Sequence, residues 1–536
     1  MMIRGFHDIK AAGLAMAIAG LALTGRMLAH KDELVAAPPA IDTAITSTRQ
    51  ITSIAVAMDG EVWAGTMGGV LRRTREGVWK KYTRRDGLPS HEVRRVSVWD
   101  RAVVADFPMA RAIWNGSGWR IEGQTIPVDG SRDRPTCTAA WLGGICTASV
   151  SGLTLKTAGG STEIPLPNSP GTHVTALLPK PDVLWTAMYG DGIWEYRSAS
   201  PGSKRDIGGG WKRLEIGLPA SAREITAIAE GAGSVWLGTR REGIWQFDGR
   251  DWKQYIERDE PFDHNVQSMA TYRGVLYVST LEDGMSIRTT AGWRHIGLGT
   301  LSSDAPRQMV EYQGRLYVRH GNGMVDRTDG ERWEKNIFAS LPRKQASTLS
   351  VDRERIYVGQ WGGWSEYDGQ LWTHHLNVPE LQGLPITAVL PARDSIWIGT
   401  QNKGVAEWDR KNGRLTWHDE RRGLPDDWVT CLSQMGDKLC AGTFVGGLAW
   451  CDGRSWNEIA ALKGENVTGL EPDGTGGLFV ATRTGVWALR ADMSIKRLND
   501  AHPFLDTEVQ SIQALDRGLW VGTRTGLYFL AHPSSK

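Results

Sequence analysis

The sequence predicts an all-β fold, a β-propeller of about twelve four-stranded blades. Two observations support this prediction. A short motif recurs twelve times: an apolar or aromatic residue is followed two positions later by a small residue, in all copies but one, and then often by Thr. Successive motifs lie 39 to 43 residues apart, apart from one step of 51. The motif centres are Trp63, Val103, Cys146, Trp185, Trp236, Tyr277, Tyr317, Tyr357, Trp397, Cys440, Phe479 and Trp520.

Turn signals divide each repeat into four short segments. In the first repeat, Asp59-Gly60, Gly68-Gly69 and Glu76-Gly77 separate runs with the composition of strands. The expected strands are residues 51–56, 61–66, 70–74 and 78–82. A Gly-Leu-Pro turn at residues 87–89 then leads to the next repeat. Four antiparallel strands joined by three turns make one blade.

Recurring residues indicate how the blades pack. The second-strand aromatic residue, Trp63 in the first repeat, is expected to lie between neighbouring blades and bury a large area. The Gly before Thr lets two backbones approach closely. A fourth-strand Trp recurs in most repeats, which explains 25 Trp in 536 residues.

Twelve blades are expected to form two rings of six. This division gives a first propeller at residues 38–300 and a second at residues 301–536. The last repeat lacks a fourth strand, and residues 40–48 are expected to supply it and cover the open edge. Such closure fits a single ring most simply, and it fits two rings only if the N-terminus reaches the second, so both arrangements stay open.

Residues 1–37 resemble an export signal or an N-terminal anchor. Arg4 and Lys10 precede an uncharged apolar run at residues 11–24, which has signal-peptide length and is short for a membrane span. We therefore expect a periplasmic or secreted protein, or one anchored by this segment. The net charge of +2 excludes the strongly basic surface of a nucleic-acid binder.

Four of the five cysteines form two similar pairs. Cys137 and Cys146 are nine residues apart, as are Cys431 and Cys440. A two-residue turn at Met435-Gly436 would place Cys431 opposite Cys440, and an exported protein would allow such pairs to oxidise. Two disulfides and four buried thiols are both compatible with the sequence.

The motif of Trp-Ile-Gly-Thr, a fourth-strand Trp and then Asp-Gly-Leu-Pro resembles the two-component regulator propeller repeat. The resemblance covers residues 49–530. It implies the periplasmic sensor propeller of a two-component system, in that family often two seven-bladed rings that sense oligosaccharides. This chain differs in having twelve repeats and in containing no kinase or response-regulator segment.

The corners between strands two and three and the links between blades are expected on the same face of the propeller, and such loops often carry function. The candidate ligand-binding residues lie there. These residues are mostly basic and include one indole side chain, a composition that suits an acidic or sugar ligand. The candidates are Arg240, Arg241, Lys403, Arg483, Arg524, Trp428, His91 and His264. His91, His173 and His264 follow the blade repeat and not a metal-binding motif, so no metal site is predicted.

The sequence favours a non-catalytic binding or sensor protein for an extracytoplasmic ligand, of the carbohydrate class, or for a signalling partner. It contains no recognised catalytic motif, and no cofactor, nucleic acid or catalytic residue is predicted. Two alternatives remain. One is a propeller enzyme, a lyase or hydrolase acting on a polysaccharide or lactone. The other is an envelope scaffold that binds proteins.

Overall fold

A computed structural model gives the architecture. It describes residue 39 and residues 41–99, 102–123, 137–149, 152–167, 173–198, 210–343, 345–453 and 455–531. The predicted export segment, residues 1–37, lies outside the described residues. The described chain forms twelve antiparallel four-stranded sheets, which confirms the predicted β-propeller blades.

Blades are numbered 1 to 12 in the order of their first strands. The strands of blades 1 to 5 are Ile51–Val56, Val62–Thr66, Gly69–Arg73, Trp79–Tyr82; Arg95–Trp99, Ala102–Asp106, Arg111–Trp114, Trp119–Glu122; Thr138–Trp141, Gly144–Ala148, Gly152–Thr157, Gly160–Pro165; Val174–Pro179, Val183–Met188, Gly192–Arg197, Gly210–Arg213; and Ile225–Gly231, Ser234–Thr239, Ile244–Phe247, Trp252–Tyr255.

The strands of blades 6 to 12 are Val266–Tyr272, Val275–Thr280, Met285–Thr289, Gly292–Ile296; Pro306–Tyr312, Arg315–His320, Val325–Thr328, Trp333–Glu334; Thr348–Val351, Ile356–Gln360, Gly363–Tyr367, Trp372–His375; Ile386–Pro391, Ser395–Thr400, Val405–Asp409, Leu415–His418; Val429–Met435, Lys438–Thr443, Leu448–Cys451, Trp456–Glu458; Val467–Pro472, Leu478–Thr482, Gly485–Leu489, Ile495–Arg497; and Val509–Leu515, Gly518–Thr523, Gly526–Ala531 with Thr43–Ile45. Short 3₁₀ helices lie in links between blades, at Arg84–Asp86, Ala220–Arg223, Pro379–Leu381, Glu420–Arg422 and Ala460–Leu462.

The blades form two rings, one of five and one of seven. Blade 5 packs on blade 1, where Thr226 Oγ1 donates to the Ile51 carbonyl at 2.6 Å. Blade 12 packs on blade 6, through a cluster that includes Val266 and Trp520. Ring one therefore contains blades 1 to 5 and ring two blades 6 to 12. The structure therefore differs from the expected two rings of six blades with a boundary at residue 300.

The N-terminal strand closes ring two, as the sequence predicted for residues 40–48. Thr43–Ile45 runs antiparallel to the last strand, with Thr43 opposite Phe529 and Ile45 opposite Leu527. The chain thus begins in ring two, crosses to build all of ring one, and returns to complete ring two. Ring one is an insertion between the first two strands of ring two in chain order.

Apolar side chains between neighbouring blades form the core. Each of the seven seams of ring two contains its own buried cluster, as do the seams between blades 1 and 2, 3 and 4, 4 and 5, and 5 and 1. Trp63 and Trp236 are fully buried in such seams, as predicted for the second-strand aromatic residue. Blades 2 and 3 differ, since Trp99, Ile121 and Ile145 are exposed there.

Neither candidate disulfide pair has the facing register that the sequence suggested. The hairpin turn of blade 10 is formed by Gly436 and Asp437, because Met435 pairs with Lys438. Ser433 therefore lies opposite Cys440, and Cys431 lies opposite Gly442. In blade 3, Ala139 and not Cys137 faces Cys146. The five cysteines, all within the described residues, are thiols, and burial raises the pKa of Cys440 to about 12.

Replacing Gly238 with Ala is expected to destabilise the closure of ring one. The added Cβ would lie 2.4 Å from Ile51 Cγ2 and 2.7 Å from its Cβ, so the two blades must move apart. Overpacking of this kind costs about 1–3 kcal/mol, measurable as a lower denaturant midpoint. Gly118→Ala is the matched control in the same ring, because nothing lies within 4 Å of its new Cβ. Equal midpoints for the two variants would contradict the close approach.

Candidate functional site

The corners and links share one face of each ring, and the repeated Gly-Thr pair builds the corners. Thr66 Oγ1 donates to the Gly69 carbonyl at 2.7 Å and accepts from the Gly68 N–H at 3.0 Å. The corresponding Thr closes the corner in the same way in other blades, for example Thr400 with Gly404 at 2.9 Å. The corners are therefore held by buried hydroxyls, which leaves their outer side chains available for contacts.

Two chain segments cross between the rings and meet at a buried carboxylate. Glu260, on the second crossing, is 1% exposed. It accepts from the backbone N–H of Thr48 at 2.7 Å and from Thr48 Oγ1 at 3.0 Å. Lys81 Nζ lies 3.3 Å from Glu260 Oε2. Burial raises the pKa of Glu260 despite these partners, so this carboxylate ties both crossings and blade 1 together.

A second buried cluster joins blade 1 to blade 12. Asp506 lies 3.1 Å from Arg84 NH1 and 3.4 Å from His91 Nδ1, and it accepts from Thr525 Oγ1 at 2.7 Å. Tyr528 places its hydroxyl oxygen 2.9 Å from His91 Nδ1. Although burial opposes ionisation, the hydrogen bond and charge of His91 and the other donors lower the pKa of Asp506 to about 2. The carboxylate is thus ionised and anchors the two rings.

Two predicted binding residues, Arg240 and Arg241, lie at a third contact between the rings. Arg240 NH2 is 3.1 Å from Glu282 in blade 6, and its NH1 donates to the Tyr189 hydroxyl at 3.3 Å. Arg241 pairs with Asp283 of blade 6 and, at 3.2 Å, with Glu224. Because ring one contributes the arginines and ring two most of the carboxylates, these two candidates bind ring two across the junction.

His91 and His264 are both buried near the junction, so the structure does not place them on an open binding face. His91 is fully buried, and burial lowers its pKa. His264 Nδ1 lies 2.7 Å from Asp263 Oδ1 on the second crossing. Within the described residues, no group of three or more His, Cys, Asp or Glu side chains has the arrangement of a metal site.

The other predicted residues lie in ring two. Arg524 lies 3.4 Å from Glu508 and, across the junction, 3.8 Å from Glu92. Arg483 is exposed on the corner of blade 11. Lys403, on the corner of blade 9, places Nζ 4.2 Å from the ring centre of Trp417. Trp428, in the link before blade 10, stacks on Phe444 with ring centroids 4.1 Å apart and an interplanar angle of 17°.

One aromatic residue at a corner was not predicted. Trp361 follows the second strand of blade 8, and its side chain is 57% exposed. Its backbone is nevertheless fixed, since it bridges to Pro385 and the neighbouring Gly362 N–H donates to the Leu384 carbonyl at 2.8 Å. Trp361 occupies the corner position that Arg240 and Phe444 occupy in their blades. A search of that position for aromatic as well as charged residues would have found it.

Comparison with known proteins gives structural likenesses alone. No family model matches the chain, and no curated protein matches it in sequence. Solved structures do match. The extracellular domains of two putative hybrid two-component systems from B. thetaiotaomicron are 14% identical, with TM-scores of 0.42 and 0.45; each alignment covers 90% of this chain and 69% or 68% of theirs.

The matched structures are not all of this kind. An enzyme is among them as well. The GH74 enzyme of Niastella koreensis is 11% identical with a TM-score of 0.43, over 92% of this chain and 100% of its own. The described residues contain no helix long and apolar enough to cross a membrane.

Proposed function

We propose that this protein is an extracytoplasmic, non-catalytic binding propeller of the sensor type, and that ring two binds a carbohydrate ligand on its corner-and-link face. The observation that carries the proposal is a set of aromatic side chains on one face, on the two blades that flank blade 9. Trp361 stands on the corner of blade 8, and the stacked Trp428 and Phe444 stand on blade 10, with Lys403 on the corner between them.

Trp361 is exposed and Trp428 is half-buried, so both indole rings present surface to solvent. An indole offers a flat apolar face with one N–H donor, which fits the C–H face of a sugar ring beside its hydroxyl groups. Trp428 is held by its stack on Phe444, and the backbone of Trp361 is held by Pro385. Holding the aromatic groups before binding reduces the entropy lost when a ligand is ordered. Blades 8 to 10 also lie away from blades 6 and 12, which contact ring one.

The N-terminal sequence supports the proposed location. The apolar run at residues 11–24 supports export. An envelope scaffold would use the same face for a protein, and a lyase or hydrolase would turn the carbohydrate over, so measurements of binding, turnover and protein capture separate the three.

Replacing Trp361 and Trp428 with Ala is expected to abolish oligosaccharide binding. The purified chain from residue 38 is screened against neutral and acidic oligosaccharides by thermal shift, since a ligand that binds only the folded state raises its melting temperature. The double variant should lose at least tenfold in affinity by calorimetry. Trp99→Ala is the matched control, because Trp99 is 70% exposed on ring one.

Three results would contradict the proposal. Equal affinity of the double variant and the Trp99 variant would place the ligand elsewhere. Release of shorter sugars during incubation would show an enzyme. Failure of every oligosaccharide to shift the melting temperature, together with capture of an envelope protein that the double variant does not bind, would show a scaffold.

A further inference from the structure

Blade 7 departs from the repeat at a position that a small residue occupies in every other blade. The residue two after the motif centre is Arg319 in blade 7. In the other eleven blades it is Gly, Ala or Ser: Gly65, Ala105, Ala148, Ala187, Gly238, Ser279, Gly359, Gly399, Gly442, Ala481 and Gly522. The eleven other blades act as an internal reference for what the fold itself requires.

The fold requires a small residue because the next blade begins there. A Cβ on Gly399 would lie 2.8 Å from Val429 Cγ1, and one on Gly442 would lie 2.5 Å from Val467 Cγ1. Val429 and Val467 are the first residues of the neighbouring inner strands. In blade 8 the corresponding residue is Ala346. Blade 8 thus has a smaller residue, Ala346, where the inner strands of blades 10 and 11 begin with Val, and it follows the one blade that has Arg at this position.

Arg307 is a second departure in the same blade. It follows the first residue of the inner strand, where a β-bulge interrupts the pairing. In five other blades this position is a Thr whose hydroxyl donates to the backbone carbonyl of the next blade at 2.6 to 2.8 Å: Thr52, Thr226, Thr387, Thr430 and Thr468. Arg307 replaces this inter-blade hydrogen bond with a bond from NH1 to Gln267 Oε1 at 2.9 Å.

The two arginines, here called the arginine pair, have neutral hydrogen-bond partners. Arg319 donates from Nε to Gln308 Oε1 and from NH1 to the His320 carbonyl, each at 3.3 Å. Among the described residues, no carboxylate forms an ion pair with either guanidinium. Burial lowers the pKa of both, and the neighbouring charge of Arg307 contributes to a pKa of about 10 for Arg319.

The charge of Glu282, which pairs with Arg240, acts against the lowering of the pKa of Arg307, but Glu282 forms no ion pair with it. A pair of part-buried cations that forms no ion pair is costly unless an anion joins it. Each guanidinium has five N–H donors in a planar fork that matches a carboxylate. The bonds to Gln267, Gln308 and the His320 carbonyl use a minority of those donors. The site therefore offers concentrated positive charge and several directed donors toward a carboxylate.

We propose that the arginine pair of blade 7 binds the carboxylate of an acidic sugar. This inference rests on the proposed function and specifies its ligand. The link between blades 7 and 8 runs from the blade of the arginine pair to the aromatic face: Arg343 in that link donates to the Trp361 carbonyl, and a Cβ on Gly323 of blade 7 would lie 2.7 Å from Gln345. A uronic acid would place its carboxylate on the arginine pair.

The test replaces both arginines of the pair with the residues that other blades have at the same positions. The double variant R307T/R319G installs the Thr and Gly that other blades contain, so it is expected to fold. R353T/R393G is the matched control, because it removes two exposed arginines from hairpin turns of blades 8 and 9. Melting temperatures and affinities are measured with D-glucuronate, D-glucose and acetate at one ionic strength.

The expected result is that glucuronate stabilises the wild type and the control, and that R307T/R319G binds it at least tenfold more weakly. Equal binding by R307T/R319G, or no stabilisation of the wild type by glucuronate or acetate, would overturn the assignment. Stabilisation by acetate as large as by glucuronate would support the anion site and count against a carbohydrate ligand. Oligosaccharide binding that depends on Trp361 but not on the pair would keep the proposed function and reject this inference.

Discussion

A chain that starts at Thr46 is expected to unfold ring two at a lower temperature than one that starts at residue 38. The shorter chain lacks the strand Thr43–Ile45, whose three residues pair with the last strand of blade 12. It also loses Asp42, which accepts from the Ala531 N–H at 2.9 Å and lies 2.8 Å from His502 Nδ1. The lost hydrogen bonds and the burial of Ile45 amount to about 3–5 kcal/mol.

The deletion also exposes an edge. Without its outer strand, Gly526–Ala531 presents unpaired backbone groups and the apolar side chains of Leu527 and Phe529, which are buried in the intact protein. Such an edge promotes aggregation. The measurement is thermal unfolding with hydrogen exchange resolved by blade, and protection should fall first in blade 12 and its neighbours 11 and 6.

A synthetic peptide of residues 38–48 provides the control for this deletion. Added in excess, it should restore the melting temperature, because the strand pairs through backbone bonds that do not need a covalent link. Unchanged stability of the shorter chain, or loss of protection in ring one alone, would show that Thr43–Ile45 does not close ring two.

The strands and turns of each blade were predictable because their signals are local. Asp59-Gly60 marks a turn, and alternating side chains on either side mark the strands. The closing role of residues 40–48 was also predictable, because the last repeat lacks a strand. These features depend on residues within one repeat or at a chain end.

The division into five and seven blades was not predictable, because every seam uses the same contact. Gly238 packs against Ile51 and closes ring one, whereas Gly522 packs against Val266 and closes ring two. A β-branched residue starts most inner strands. Gly238 could therefore pack equally well on Val266, in the next blade along the chain, as on Ile51. Which blade packs next to blade 5 is decided by the sum of many similar interfaces.

The site was predicted less well for a related reason. Arg240 and Arg241 stand on a corner as expected, but their carboxylate partners, Glu282 and Asp283, belong to the other ring. Partners across two rings follow from the assembled fold and leave no local signal. The arginine pair is different, since comparison of the twelve repeats alone shows Arg319 where eleven blades have a small residue.

Replacing Asp506 with Asn is expected to weaken the junction between the rings strongly. The neutral amide leaves Arg84 without its carboxylate and disturbs His91, Thr525 and Tyr528, all within one buried cluster. Breaking a buried ion pair by removing one partner typically costs about 3–5 kcal/mol. The loss should appear as a lower denaturant midpoint at pH 7, and as a larger radius of gyration if the rings separate before they unfold.

The pH dependence distinguishes lost charge from lost shape. The pKa of Asp506 is about 2 in the folded protein, below its ordinary value of 3.8. Its ionised form therefore stabilises the fold above pH 4, by about 2 kcal/mol, and that contribution disappears as the pH falls from about 4 to about 2. The stability difference between wild type and D506N should shrink over the same range.

Asp437→Asn is the control, because Asp437 is exposed in the hairpin turn of blade 10. It should match the wild type at pH 7. A D506N midpoint equal to that control at pH 7, or a difference that stays constant down to pH 3, would show that the Asp506 charge does not hold the rings together. The expected result instead makes the buried Asp506 carboxylate an electrostatic link between the inserted ring and the ring that encloses it in sequence.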